Sequence, residues 1–202
     1  MICILTGDIV GSRKIKDSWL LSLKNALKVI SGQNKWEIYR GDSFQVEVEP
    51  ENAIKWAAYI KACIRVNKPA DVRMGIGIGD LKSKRKKLSE SSGDAFVNSG
   101  AAFDGLKQAK VNLAVKTDWA DFDEEINILI KLALIAMDSW GVVAAEMVKL
   151  ALEHEDAVQS ELAALSGRTQ SSVSEALTRA HYSELLEMDQ LYRKKLNLML
   201  SK

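Results

Sequence analysis

Leu5 to Lys14 reads LTGDIVGSRK, Tyr39 to Val46 reads YRGDSFQV, and Arg73 to Asp80 reads RMGIGIGD. In the first two, an Asp follows a Gly at the end of an apolar, β-branched run, the pattern of a strand running out into a turn. Two such strand ends can bring Asp8 and Asp42 together at one end of a sheet. Paired carboxylates suit a hard cation, because Mg²⁺ takes one or two protein carboxylates and completes its shell with water and phosphate oxygens. In the third stretch Gly75, Gly77 and Gly79 alternate with Ile76 and Ile78. That alternation fits a strand with one face left flat for a helix to pack closely, and it does not fit a phosphate loop.

Outward from these motifs, Met1 to Thr6 reads as a buried strand. Asp17 or Ser18 can cap a helix with Leu20, Leu23, Leu27 and Ile30 at helical spacing, stopped by Ser31 and Gly32. Trp36–Arg40 and Ser43–Glu49 read as a hairpin turning at Gly41 and Asp42. Pro50 suits the first turn of a helix reaching about Val66, and Val72–Ile78 returns as a strand. Residues 81–92, LKSKRKKLSESS, read as a polar loop, Gly93–Lys107 as a helix and Val111–Val115 as a last strand. The order βαββαβαβ predicts an α+β, ferredoxin-like plan, with two long helices on one face of a mainly antiparallel sheet.

From about Asp118 the pattern is all helix: Phe122–Ala136, Trp140–Leu152, Ala157–Leu165 and a long Ser171–Leu200. Within it, Gln159 to Leu177 carries a helix-turn-helix pattern, with small Ala163 at the crossing, Gly167 in the turn, and Leu162, Val173 and Leu177 locking the second helix. The expected organisation is a sheet domain over residues 1–118 and an all-α helix-turn-helix domain over 119–202.

The chain has 202 residues with a net charge of +1, which hides an asymmetry. Residues 1–118 hold 20 Lys and Arg against 13 Asp and Glu, a balance of +7, and residues 119–202 hold 8 against 14, a balance of −6. The basic surface therefore belongs to the first half. No apolar run approaches the roughly 20 residues of a membrane span. The N-terminus lacks the basic and apolar regions of a signal peptide, so a cytoplasmic protein is expected, with Cys3 and Cys63 reduced and packed.

In their order, the N-terminal motifs resemble the catalytic domain of class III nucleotidyl cyclases, in which an ADIVGF-like strand end and a GD hairpin supply two metal-binding Asp. Gly93 to Phe103, GDAFVNSGAAF, is similar to that family's VNxAxR helix. Over much of the chain the sequence more closely resembles the SatD-like proteins, with TGDIVGSRKIKD at the start, then GDSFQ, GIGIGD and a helical C-terminus. The cyclase resemblance implies a nucleotide-cyclase-like sheet domain, Mg²⁺ or Mn²⁺ on Asp8 and Asp42, and a nucleotide ligand. It also marks departures. The position of the family's transition-state Arg is Ala102, and its base-recognition positions are Ile38 and Ser91. Loss of such donors commonly costs orders of magnitude in rate, which argues against cyclase turnover.

The residues themselves extend the candidate site. Ile9, Gly11 and Ser12 follow Asp8 and can offer backbone N–H groups to phosphate. Arg40, Arg13 and the run Lys82, Lys84, Arg85, Lys86, Lys87 can supply charge, and Asn98 aligns with the family's helix Asn. The bland alternative is that Asp8 and Asp42 serve turns and that the basic run is a solvated loop. In the helical half, Arg168, Thr169, Gln170, Ser172, Ser174 and Arg179 have the reach and hydrogen-bonding groups for double-stranded DNA. Leu185, Met188, Tyr192 and Met199 pack internally or form a homodimer seam. His154 and His181 lie far from any Cys pair, giving no zinc pattern.

The expectation is a cytosolic bacterial regulator, a nucleotide- or phosphate-binding domain coupled to a DNA-binding output domain. Two alternatives remain at this level: a metal-dependent nucleotide-transforming enzyme, and a protein-interaction scaffold.

Overall fold

The structure, a computed structural model, describes residues 1–12, 18–32 and 35–201. In chain order the elements are β1 (Ile2–Val10), α1 (Ser18–Ile30), β2 (Trp36–Tyr39), β3 (Ser43–Val48), α2 (Ala53–Arg65), β4 (Asp71–Gly79), β5 (Leu81–Ser83), β6 (Ser92–Gly93), α3 (Asp94–Ala109) and β7 (Leu113–Lys116). Five helices follow: α4 (Ala120–Met137), α5 (Val142–Glu153), α6 (Gln159–Ser166), α7 (Gln170–Arg179) and α8 (Tyr182–Leu200). The fold is α+β. Its main sheet has the order β2-β3-β1-β4-β7, antiparallel throughout except for the parallel β4–β7 pair that α3 connects.

The period-two pattern of β1 and β4 sorts their side chains to two faces. Cys3, Leu5 and Ile9, with Val72, Met74, Ile76 and Ile78, face Leu23 and Leu27 of α1 and Ile54, Ile60 and Ile64 of α2 in one core. The opposite face of β4 carries Gly75, Gly77 and Gly79, and α3 lies directly on it. A Cβ added at Gly77 would sit 2.0 Å from the Ser99 nitrogen and 2.3 Å from the Ala95 oxygen. The flat face expected from the glycine alternation is where the helix packs.

Four elements depart from expectation. β1 continues through Gly7 and Asp8 to Val10, because Asp8 is paired on both sides, with Ser43 of β3 and Arg73 of β4. The hairpin turns at Arg40 and Gly41, whose φ values of 52° and 89° are the left-handed geometry of a primed turn, and Asp42 leads into β3. Residues 81–92 are not a bare loop, since β5 and β6 pair and Leu88 is buried against Ile4 and Ala95. The long last helix is two, α7 and α8, broken where His181 takes a φ of 53° and the indole Nε1 of buried Trp140 donates to the Ala180 oxygen. The Asp17 cap and Arg13 lie outside the described residues.

The main core does not stop at residue 118. Trp140, Val148, Leu152, Tyr192 and Leu196 join the cluster that holds β1 and β4, and the Tyr192 hydroxyl donates to the Pro50 oxygen at 2.6 Å. Leu185, Tyr192 and Leu196 of α8 are turned into this core, while Leu191 and Leu198 remain outside. A second core, Met147, Ala151, Leu162, Ala163, Val173, Ala176 and Leu177, joins α5, α6 and α7.

A buried ionic network ties the two halves. The Lys61 side chain, 1% exposed, reaches Asp71 at 2.8 Å and Asp138 at 2.6 Å. Arg65 pairs with Asp71 at 3.1 Å and donates to the oxygens of Asp138 and Trp140, in the turn between α4 and α5.

Both cysteines are free and buried. Desolvation pushes the Cys3 thiol well above its ordinary range and the Cys63 thiol up to about 12. Because the thiolate is the nucleophile, neither is expected to react with a disulfide reagent in the native protein near neutral pH, and both should react in guanidinium. Rapid labelling of the native chain would contradict this packing. Among the described residues, no helix is long and apolar enough to cross a membrane.

Candidate functional site

Asp8 projects from β1 onto the face that α3 only partly covers. The β-ladder places it opposite Arg73, and the guanidinium grips it with two bonds, Nε to Oδ1 at 2.9 Å and Nη2 to Oδ2 at 2.5 Å. Such a fork is geometrically specific and stronger than a point-charge contact. The hydrogen bond to Asp8 raises the Arg73 pKa above its ordinary value, and the charges of Asp8 and Asp42 add to it.

Asp42 joins the same end of the sheet. Its backbone oxygen accepts the Ile9 N–H at 3.1 Å, and its Oδ2 accepts the Ser12 hydroxyl at 2.7 Å. Gly11, at φ 81°, makes the turn that carries Ser12 back to the hairpin. Arg40 stands exposed on the adjacent turn. Asp8, Gly11, Ser12, Arg40 and Asp42 therefore gather at one end of β1 and β3. The Ile9 N–H is committed to Asp42, so the amides left to face an anion are those beyond it.

Asn98 is elsewhere. It is buried in α3, where its amide donates to the Ile78 oxygen at 2.8 Å and reaches Asp118 Oδ1 at 3.4 Å. Ile78 pairs with Cys3, five residues along β1 from Asp8, or about 16 Å at the rise of a strand. Between them Thr6 bonds Ser99 at 3.0 Å and Gln45 at 3.1 Å, continuing the polar strip across the sheet.

The donor set bears on a metal as follows. Two carboxylates at one sheet end suit a hard cation, but both Asp8 oxygens are held by Arg73, and among the described residues no three His, Cys, Asp or Glu side chains gather as a metal-holding group. Asp42 keeps one oxygen, Oδ1, outside its bond to Ser12. A cation bridging both carboxylates requires Arg73 to let go of Asp8.

In the helical half, α6 ends at Gly167, φ 65°, and Thr169 caps α7 by accepting the Ser172 N–H at 3.2 Å. Gln170 is exposed and Ser172 and Ser174 are half-buried. The two cations are already paired, Arg168 with Glu146 at 2.9 Å and Arg179 with Glu175 at 3.5 Å.

The model of the SatD family matches residues 2–187, spanning the sheet and nearly all of the helices. The chain belongs to the SatD family. None of the curated proteins and none of the solved structures compared with it matches. In this SatD chain the positions that depart from the cyclase pattern are structurally occupied. Ala102 is buried, Ile38 packs against the main core, and the Ser91 hydroxyl closes the β5–β6 turn by accepting the Arg85 N–H at 2.9 Å.

Arg73 is the site residue that the motifs alone did not single out. A signal for it was present: with Asp71 it is one of two charged members of a strand face otherwise made of Gly75, Gly77 and Gly79. A cation in a strand that central requires an acidic partner, and the neighbouring strand offers Asp8.

Proposed function

We propose that this SatD-family protein is a cytosolic regulator whose sheet domain, ferredoxin-like and nucleotide-cyclase-like, binds a phosphate-bearing ligand of the nucleotide class at Asp8, Ser12, Asp42 and Arg73. The observation that carries the reading is the two-bond grip of Arg73 on Asp8 at the sheet end where Asp42 holds the Ser12 hydroxyl and Arg40 stands exposed on the adjacent turn. The antiparallel neighbours β4-β1-β3-β2, built from a βαββαβ order, support the fold assignment. Asp8 and Asp42 are the residues that would hold Mg²⁺ or Mn²⁺, which would neutralise phosphate charge there. Arg73, once exchanged from Asp8 to the phosphate, gives the ligand its differential contact between two states.

From that site a route leads to the helices. Arg73 lies two residues from Asp71, which holds Lys61 and Arg65, and these hold the α4–α5 turn. The output is the α5–α7 unit, a helix-turn-helix whose exposed α7 start, with Gln170, meets double-stranded DNA. A second reading is favoured by the ion pairs of Arg168 and Arg179 with Glu146 and Glu175: with its cations neutralised, the same unit docks on a protein.

Thermal unfolding with ATP, GTP and their diphosphates, with and without Mg²⁺, tests the ligand site. At a hundredfold excess over Kd a ligand adds about 2.7 kcal/mol. For a chain of this size that raises Tm by roughly 5–10 °C. The Mg²⁺-dependent part of the rise should vanish in Asp8→Ala. Absence of any rise in the wild type removes the nucleotide reading.

A further inference from the structure

We infer that the turn between β5 and β6 is a nucleic-acid backbone contact, and that the phosphate-binding charge of this protein sits there, on the sheet domain, in addition to the α7 surface. The inference rests on duplex DNA being a partner, as proposed above, and is independent of the nucleotide site.

Five cations fall within Lys82 to Lys87. Two are paired, Lys82 with Asp94 at 2.7 Å and Lys87 with Glu90 at 3.8 Å. Lys84, Arg85 and Lys86 are exposed and make no ion pair among the described residues. By contrast, Arg168 and Arg179 on the helix-turn-helix each have an acidic partner. Free cations are what a polyanion can use, because every phosphate newly neutralised releases condensed counterions.

The segment that carries them is also held in shape. Leu88 is 6% exposed and anchors against Ile4 and Ala95. The Ser89 N–H donates to Glu37 on β2 at 3.1 Å, and the Ser91 hydroxyl takes the Arg85 N–H while donating to the Lys87 oxygen at 3.2 Å. A loop fixed by its backbone and one leucine presents its three cations with little further ordering cost on binding.

The chemistry of the patch selects the partner. Residues 84–87 are all charged, and the flanking Leu88 is turned inward, so the tip offers neither an apolar wedge for a bilayer nor an aromatic or aliphatic anchor for a protein hot spot. No aromatic side chain lies in it for base stacking. What remains is uniform positive charge at the surface of a half-chain with a balance of +7, which matches a duplex backbone read for charge and not for sequence.

The test is fluorescence anisotropy of a mixed-sequence DNA duplex against the full chain, over a salt series, for wild type, the triple variant K84Q/R85Q/K86Q, and Gln170→Ala. All three substituted loop side chains are exposed and Arg85 engages Ser91 through its backbone, so Tm should not move. Each lost phosphate contact lowers the slope of log K against log salt by about 0.9, so the triple variant should lose about 2.7 of slope and, with the two lines meeting near 1 M, bind roughly 500-fold more weakly at about 0.1 M salt. Gln170→Ala should keep the wild-type slope. Wild-type binding with an unchanged slope in the triple variant overturns the loop assignment and leaves DNA binding to α7. Failure of the wild type to bind duplex at low salt overturns both the loop and the DNA output. Loop-dependent retention on phosphatidylserine vesicles with none on duplex overturns it in favour of a membrane surface.

Discussion

Gly77→Ala is expected to lower the melting temperature by roughly 10 °C. The added methyl meets the Ser99 nitrogen at 2.0 Å, the Ala95 oxygen at 2.3 Å and the Ser99 Cα at 2.6 Å. All three are backbone atoms of α3, so no flexible side-chain end can give way. Either the helix lifts from β4 or the sheet bends, and overpacking of that kind costs about 1–3 kcal/mol, occasionally more. With no soft neighbour the upper end applies, about 3 kcal/mol, against a total stability of roughly 5–15 kcal/mol. At roughly 2–4 °C per kcal/mol for a chain of this length, the shift is near 10 °C. Gly105→Ala is the internal control, because Gly105 lies on the same helix with nothing within 4 Å of its added Cβ. There the substitution removes only the helix penalty of glycine and should stabilise by about 0.5–1 kcal/mol. Equal effects at the two positions would mean that α3 is not seated on the glycine face of β4.

That contrast also marks what the sequence alone can convey. The alternation Gly75, Ile76, Gly77, Ile78, Gly79 is a local pattern with a direct physical meaning, since a period of two puts all the glycines on one face. A closely packed helix on that face was legible, as was the βαββαβαβ order of the main-sheet strands and the helices between them, though not the β5–β6 pair. Asp8 and Asp42 were expected at one sheet end, and what sets them side by side is the register of β1 against β3, which puts Asp8, inside its strand and not at the end of it, opposite Ser43. The grip of Arg73 on Asp8 was not legible, since it depends on the antiparallel register of β1 against β4, and register is a long-range property. Asn98 was placed with the site through a motif, but α3 seats it near Ile78, along the strand from Asp8. The break between α7 and α8 was hidden for a similar reason. Apolar spacing runs on through Ala180, and what ends α7 is a tertiary bond from the Trp140 indole, together with the left-handed backbone of His181.

Lys61→Ala is expected to cost about 3 kcal/mol, and its importance lies in where that loss is felt. Lys61 gave no signal in the sequence, since it sits in a run of alanines and isoleucines that reads as an ordinary helix. Its side chain is 1% exposed, between Asp71, whose side chain is 14% exposed, and the more open Asp138 at 40%. Removing one partner of a buried pair costs about 3–5 kcal/mol because the remaining charge is left desolvated. Arg65 still holds Asp71 Oδ2 and Asp138 can turn to water, so the lower end applies. A urea double-mutant cycle with Asp71→Asn checks the origin of the loss. Once Lys61 is gone, neutralising Asp71 should remove much of the penalty, with a coupling of about 0.5–3 kcal/mol. Additive effects would show that the network holds nothing together. The local consequence decides more. Lys61 and Arg65 are the polar ties between β4 and the α4–α5 turn, two residues along β4 from Arg73, so Lys61→Ala should raise amide exchange around residues 138–141 while α3 stays protected. If a ligand that draws Arg73 off Asp8 moves the same amides in the wild type, the sheet end and the helical unit share one two-state element. If exchange there is indifferent to both, ligand and output are uncoupled and the regulator reading falls.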